Sequence, residues 1–413
     1  DGPGSSLVSL HEVTERLAAM LEVECTSTFK YCPKDSPRGH LSSTTHVAVV
    51  LGKRLIRDQV TKEFARRITT LVKQIKVGQL KPDVVCFTGG RSEENASTSQ
   101  AAAGYMFFRS LCEQAEVDLD GIQFMLEEIS LNSRASLANV LHSLKSLLGT
   151  QSVNRCHFTF VSSDYHLFRL QEVHRLNPRL SLLHPLEVVA ATWHYLFTFY
   201  PFCVSDDPKT AFLGRVVVLL NELAIVMVDI NGVIDGVSFF NRENLTRLRH
   251  TQAKLAEMYR LIHSPGGIKT SGEQKGFRTD MRIYSEKIEV AISSLREVNS
   301  LIAPLAESGP QPSREDIEKA RSLLERVLLR LRRHLDPDSP VVWTEWQPLI
   351  EEVIHYQSPE EELETVLKAE ATIIAPPQMR EFGRAKRPTL RRRRTSTSEY
   401  KTKRRSVKTD NQG

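Results

Sequence analysis

Between residues 46 and 185 short apolar runs alternate with stretches that are apolar on one side only. His46-Val-Ala-Val-Val-Leu-Gly52 ends in Lys53-Arg54, Asp83-Val-Val-Cys-Phe-Thr88 in Gly89-Gly90, Ile122-Gln-Phe-Met-Leu126 in Glu127 to Asn132, and His157-Phe-Thr-Phe-Val161 in Ser162 to Arg169. Near-continuous Val, Ile, Leu and Phe runs of this length predict buried strands of a parallel sheet. From Gln59 to Val77 the apolar residues Val60, Phe64, Ile68, Leu71, Val72 and Ile75 follow helical spacing, so this stretch is the expected crossover between the first two strands. Ser97 to Ala115, Ser133 to Leu148 and Asp164 to Leu176 repeat that role, and Ser181 to His184 is a candidate fifth strand. Parallel strands joined by helices make right-handed crossovers, hence an α/β fold with a three-layer, open, mostly parallel Rossmann-like sheet. Ligands of such sheets sit at the carboxyl ends of the strands, where each polar cluster falls.

Beyond Pro185 the alternation stops and an appended, mainly helical region is expected. Leu186 to Phe202 is apolar and aromatic, Phe212 to Val228 reads as a buried helix, and Arg242 to His263 and Thr279 to Leu305 have helical periodicity. Ser313 before Arg314-Glu-Asp316 caps a further helix to about His334. At the other end, Leu10 to Val23 predicts an amphipathic helix and an irregular lead-in follows to Thr45. The expected organisation is 1–45 lead-in, 46–187 sheet domain, 188–370 helical region and 371–413 disordered basic tail. Val216 to Val228 falls short of the ~20 residues a spanning helix needs and carries Asn221 and Glu222, so a core helix rather than a transmembrane segment is expected. Asp1 to Ser6 show neither an initiator Met nor a charged-then-apolar leader, which predicts a missing start.

Charge changes this picture only at the tail. Residues 380–413 hold 13 of the 55 Lys and Arg but 3 of the 50 Asp and Glu, leaving the body mildly acidic. Arg384 to Arg387, Arg391 to Arg394 and Lys401 to Arg405 are spaced like a bipartite import signal, so an import factor is one expected partner. Nucleic acid or an anionic membrane is the other. Phosphorylation at Thr395, Ser396, Ser398 or Ser406 would cancel part of the charge. The six cysteines show no paired or zinc spacing; Cys86 and Cys156 read as core residues, no metal site is expected, and an intracellular location, cytoplasmic or nuclear, follows.

Two clusters carry candidate chemistry. Glu127, Ser130, Asn132 and Ser133 combine a carboxylate, hydroxyls and an amide before a helix, a set equally suited to capping and to holding a ligand. In Ser162-Ser-Asp-Tyr-His-Leu-Phe-Arg169, His166 and Arg169 are three apart and share one helical face. The nearby Arg disfavours a charged imidazole, so His166 is expected neutral. No GxGxxG or P-loop pattern is present.

These motifs, in this order, resemble the SanA/YdcF/ElyC-like family, a largely bacterial domain of unknown function. The resemblance covers about residues 46–187 and rests on Gly52, Arg66 or Arg67, Thr88-Gly89-Gly90, Ser99-Gln100-Ala101, Glu127 to Ser136, and Ser162 to Arg169. It departs from the family at Gln100 and Ala135, where the family carries acidic residues, and at Ser136, where it carries Asn. The resemblance implies a small-molecule site for S-adenosylmethionine or a nucleotide. Gly52, Gly89 and Gly90 would lie close to the ligand; Ser130, Asn132, Ser163, Tyr165 and Arg169 would bind it. His166, with Glu127 as partner, would act on it if turnover occurs. The alternative is a degenerate scaffold that meets partners through its helical half and tail.

Overall fold

The computed structural model describes residues 44–91, 96–148, 153–189, 191–200, 202, 205–263, 272–307 and 310–358. The expected helix at Leu10 to Val23, Cys25, Cys32 and the basic tail lie outside them. Five strands, β1 (His46–Val50), β2 (Val84–Thr88), β3 (Gln123–Glu127), β4 (His157–Ser163) and β5 (Thr192–Thr198), form one sheet in the order β3-β2-β1-β4-β5. All neighbours are parallel. The connecting helices are α1 (Lys62–Lys76), α2 (Gln100–Gln114), α3 (Ser133–Leu148), α4 (Asp164–Leu176) and the short α5 (His184–Val188).

Strand period two sorts the side chains onto two faces. Val47, Val49, Phe158, Phe160 and Tyr195 pack with Leu137, Val140 and Leu141 of α3 and Leu167 and Phe168 of α4. Ala48, Val50, Val85, Phe87, Val161 and Leu196 meet Phe64, Ile68, Leu71 and Val72 of α1 and Phe107, Phe108 and Leu111 of α2. The α/β expectation therefore holds. Cys86 and Cys156 are buried, as expected of core residues, and so is Cys112.

The fifth strand is not at Ser181 to His184. That stretch leads from a 3-10 turn at Pro178–Leu180 into α5, and Pro185 at its second position is suited to a helix start. Thr192–Thr198 takes the edge instead, because Tyr195, with Trp193 and Phe197, packs on one face while His194 and Leu196 turn to the other. The sheet thus takes in chain past residue 187.

The remaining helices are α6 (Pro208–Ile234), α7 (Arg242–His263), α8 (Gly272–Ala306), α9 (Arg314–Leu335) and α10 (Trp343–Ile354). At 27 residues α6 extends beyond the expected Phe212 to Val228 at both ends, and Lys209–Ile234 is long and apolar enough to cross a membrane. Its surface is taken up inside the protein. Val217 and Val218 join the sheet-side core, while Val216, Leu219, Leu220, Leu223 and Val226 pack with α7, α8 and α9. A helix clothed on both sides is apolar all round. Ser313 caps α9 as expected, its side chain accepting from Asp316 N at 3.1 Å.

After α9 the chain returns to the sheet. Lys62 N donates to Ser339 O at 2.9 Å, Val341 N to Val60 O at 3.0 Å, and Glu63 N to the Asp338 carboxylate at 3.1 Å. The Asp338 side chain so serves the open amino end of α1, whose own cap residue Thr61 makes no side-chain bond. α10 then lies along α1, with Lys62–Glu345 and Arg66–Glu352 ion pairs at 2.5 Å. This return brings Asp336 and Asp338 to the carboxyl end of β1.

Candidate functional site: an ionic cluster and an arginine cleft at the sheet switch point

β2 and β3 lie to one side of β1, and β4 and β5 to the other. Consecutive strands diverge here, and the switch point between the carboxyl ends of β1 and β4 is where open sheets of this kind form their ligand crevice. Lys53 enters it just past β1, and Ser163 closes β4. From α1 come Glu63 and Arg67, one turn apart and on one face.

Glu63 is the hub. Its side chain is fully buried, Arg67 is 2% exposed and Lys53 12%. Glu63 Oε1 accepts from Arg67 at 2.5 Å, Ser163 Oγ at 2.6 Å and Tyr165 Oη at 2.8 Å, while Oε2 accepts from Lys53 at 2.5 Å. Arg67 also donates to Ser163 Oγ at 2.8 Å and to the carbonyls of Leu51 and Gly52 at 2.9 and 3.2 Å. Lys53 reaches Asp336 at 3.3 Å and Asp338 at 3.9 Å, and Tyr200 Oη donates to Asp336 at 3.1 Å. Burial pushes the Glu63 carboxyl up, but Lys53 and Arg67 overrule it and hold it at about 2. Burial also opposes the charge on Lys53, and Glu63, foremost among its partners, raises it well above the usual range. Burial raises Asp338 to about 6, with Lys53 opposing and Glu63 and Asp336 adding to the rise. Every polar atom of Glu63 is engaged, so this cluster anchors the crevice and leaves no free base in it.

Above the cluster stand three arginines from three elements: Arg54 after β1, Arg169 in α4 and Arg332 in α9. None makes a hydrogen bond or ion pair with a described residue. Burial lowers Arg169 to about 10, and Arg332 is the next cause. Arg332 is lowered too, first by burial, with Tyr165 and Asp336 opposing and Arg54 adding to the fall. Arg332 thus repels both Arg169 and Arg54, and three cations gathered without an ion pair favour an anion between them.

His166 is beside them and neutral at pH 7: burial, then Arg169, then Arg67 push it well below its ordinary value. Its Nδ1 lies 2.8 Å from Ser162 Oγ and its Nε2 3.3 Å from Ser133 Oγ. Among the described residues no hydrogen bond joins it to Glu127, the partner expected from the sequence. Glu127 is consumed locally, Oε1 accepting from Ile129 N, Ser130 N and Asn139 Nδ2 at 3.1, 2.9 and 2.9 Å and Oε2 from the Ser130 hydroxyl. Asn132 Oδ1 accepts from Ala135 N at 2.9 Å, the capping role. So Ser163, Tyr165, His166 and Arg169 gather at the switch point, whereas Glu127, Ser130 and Asn132 form a separate network after β3, linked to it through Ser133.

The glycines meet protein atoms. A Cβ at Gly52 would stand 2.2 Å from the Thr88 carbonyl oxygen, one at Gly89 2.6 Å from Gln100 Oε1, and one at Gly90 2.8 Å from the Glu128 carbonyl oxygen. Gly89, at φ +115°, also needs the left-handed region. These positions let β1, β2 and the β3 loop approach closely, with Gln100 against the first two.

Asp164 opens α4. Its Oδ1 accepts from the backbone N–H of Tyr165 at 2.7 Å and of Tyr200 at 3.0 Å, and burial raises its carboxyl to about 7. The folded state therefore holds a proton that the unfolded chain has lost above about pH 4. This group's contribution to stability is complete below about pH 4 and is lost as pH rises through about 7. We expect stability to fall between about pH 4 and 7 in the wild type, and the slope to flatten in Asp164→Asn, measured by urea denaturation across that range.

Sequence reasoning missed Glu63, Asp336, Asp338, Tyr200 and Arg332 as parts of the site, and placed Lys53 and Arg54 at the strand end without a role. Only Asp336-Pro-Asp338, an acidic pair just past a helix end, left a local trace. A hollow of about 440 Å³ bounded by Val60, Met106, Phe107, Val341 and Trp346 lies apart from the crevice and gathers no unpaired charge. Comparison of the chain with known protein families, with curated proteins and with solved structures finds no match.

Proposed function

We propose that the crevice binds a small phosphate-bearing ligand of the nucleotide type, anchored by Arg54, Arg169 and Arg332 above the Glu63 cluster. The single observation that carries this reading is the trio of neighbouring arginines, none of which forms an ion pair or hydrogen bond with a described residue, Asp336 near Arg332 being already engaged by Lys53 and Tyr200. Their charges cost free energy in the empty cleft, and a phosphate offsets that cost with charge-assisted bonds. The order of motifs resembling the SanA/YdcF/ElyC-like family supports a small-molecule site at the same place. S-adenosylmethionine, the other ligand class that resemblance implies, carries a sulfonium and an ammonium, which this field repels. If the ligand is turned over, His166 is the group available to accept a proton, being neutral and next to the arginines.

Thermal unfolding of the full chain with inorganic phosphate, nucleoside mono-, di- and triphosphates, and S-adenosylmethionine tests this. A ligand that binds only the folded state at about 100 times its Kd adds about 2.7 kcal/mol. Nucleotides are expected to raise the transition and S-adenosylmethionine to leave it in place. No shift with any nucleotide at millimolar concentration overturns the proposal and favours the degenerate scaffold. Nonspecific anion binding by the tail does not produce that shift, because a charge run held equally by folded and unfolded chains cancels.

A further inference from the structure

At the opposite, amino ends of the strands, three imidazoles meet on the sheet face that carries α1 and α2. His46 and His157 are the first residues of β1 and β4 and sit side by side in the register; His194 in β5 stands opposite Thr159. The ring centroids of His157 and His194 are 4.6 Å apart with the planes nearly stacked, and His46 lies 5.2 Å and 5.9 Å from them. One ring nitrogen from each of the three can be chosen so that all lie within 4.8 Å of one another.

We propose that His46, His157 and His194 bind a divalent transition-metal ion, Zn²⁺ foremost, as a three-imidazole site with a fourth position open to water or a small ligand. Zn²⁺ takes imidazole nitrogens at about 2.0–2.1 Å in a tetrahedron, so ligand nitrogens must come to within about 3.4 Å of one another. Side-chain rotations suffice to reach this spacing: the hydrogen-bonded His157 and His194 nitrogens open around the ion, and His46 closes on it. The oxygens behind the rings favour this state. His157 Nδ1 lies 2.7 Å from Thr192 Oγ1, and His194 Nε2 2.9 Å from Thr159 Oγ1. His157 Nε2 and His194 Nδ1 are hydrogen-bonded to each other, one donating and the other accepting. With the outer nitrogens donating to the threonine hydroxyls instead, both facing nitrogens would turn lone pairs toward an ion. Imidazoles tied through their second nitrogen to an oxygen are the usual support of a metal site.

His46 completes the set. Its Nε2 is 2.7 Å from Thr159 Oγ1, on the His194 side, and its backbone N donates to Asp83 Oδ2 at 2.7 Å, which fixes where the strand begins. His194 is buried, while His46 and His157 are half-buried, so an ion has a path in and room for a fourth ligand. Imidazole donors suit Zn²⁺, Cu²⁺ and Ni²⁺ and exclude Mg²⁺ and Ca²⁺, which take oxygen. The site is at the other end of the strands from the arginine cleft, and neither needs the other.

The full chain, stripped with a chelator, is titrated with Co²⁺ as a spectroscopic stand-in and then with Zn²⁺ in competition. One equivalent of Co²⁺ should give the intense visible band of a tetrahedral centre, and Zn²⁺ should abolish it. His157→Gln should weaken Zn²⁺ binding by more than about 100-fold, and Thr192→Val, which removes only the oxygen behind His157, by about 10–100-fold. The weak spectrum of an octahedral ion, or an unchanged band in both variants, overturns the proposal. The spectrum of the unaltered protein decides the matter even if His157→Gln fails to fold.

Discussion

Glu63→Gln is expected to lower the stability of the fold by about 3–5 kcal/mol, the usual cost of stripping the counter-charge from buried ions. Lys53 and Arg67 both lean on this one carboxylate, at 2.5 Å each. The amide oxygen can still accept from Arg67, Ser163 and Tyr165, but the amide N–H₂ then faces the Lys53 ammonium, donor against donor. Lys53→Met should cost less, because Arg67 continues to neutralise Glu63 and a methionine fills the same path. A urea midpoint that drops with an unchanged denaturant slope is the expected signature. A loss below about 1 kcal/mol for Glu63→Gln would show that water, not Glu63, compensates the cations. The pH dependence has a defined sign. Because Glu63 is held at about 2 in the folded state, its contribution is complete above the ordinary carboxylate range and disappears as pH falls through about 2.

Arg169→Ala should change two measurements in opposite directions. Binding of the nucleotide that gives the largest thermal shift is expected to weaken by about 1.5–3 kcal/mol through loss of a charge-assisted anchor. The ligand-free fold should become more stable, by on the order of 1 kcal/mol, since burial and Arg332 both disfavour the Arg169 charge. The full pKa displacement converts to more than this, but water reaching the half-buried side chain screens part of it. A purely structural arginine would instead lose stability on truncation, and a solvated one would leave both quantities unchanged. Arg332→Ala repeats the test from α9. Unchanged affinity in both variants would remove the cleft from consideration as the binding site.

The strands and crossovers were legible because burial on two faces writes itself into the chain as short apolar runs, and β1, β2, β3 and β4 fall on or next to theirs. The fifth strand was misplaced for a physical reason. Thr192–Thr198 alternates aromatic and polar residues through Trp193, His194 and Tyr195, a pattern shared by an edge strand and by an amphipathic surface, and only pairing with β4 separates them. His166 and Arg169 were legible as neighbours because three residues is a helical spacing. The partnership of His166 with Glu127 was not, since a carboxylate that binds its own loop looks the same in sequence as one aimed at a ligand.

The amino-acid sequence by itself determined the α/β class, the carboxyl-end clusters, the cap of α9 and the acidic body with its basic tail. Each depends on local spacing or on composition. Only the tertiary structure decided which charges meet: Lys53 with Glu63, ten positions on, and with Asp336 and Asp338, carried back from beyond four long helices. It likewise brought Arg332 to Arg54 and Arg169, and placed His46, His157 and His194 side by side on adjacent strands, His194 two residues out of register with the other two. Charge pairing acts through space over a few ångströms, and distance along the chain carries no record of it until the apolar faces have chosen how the elements pack.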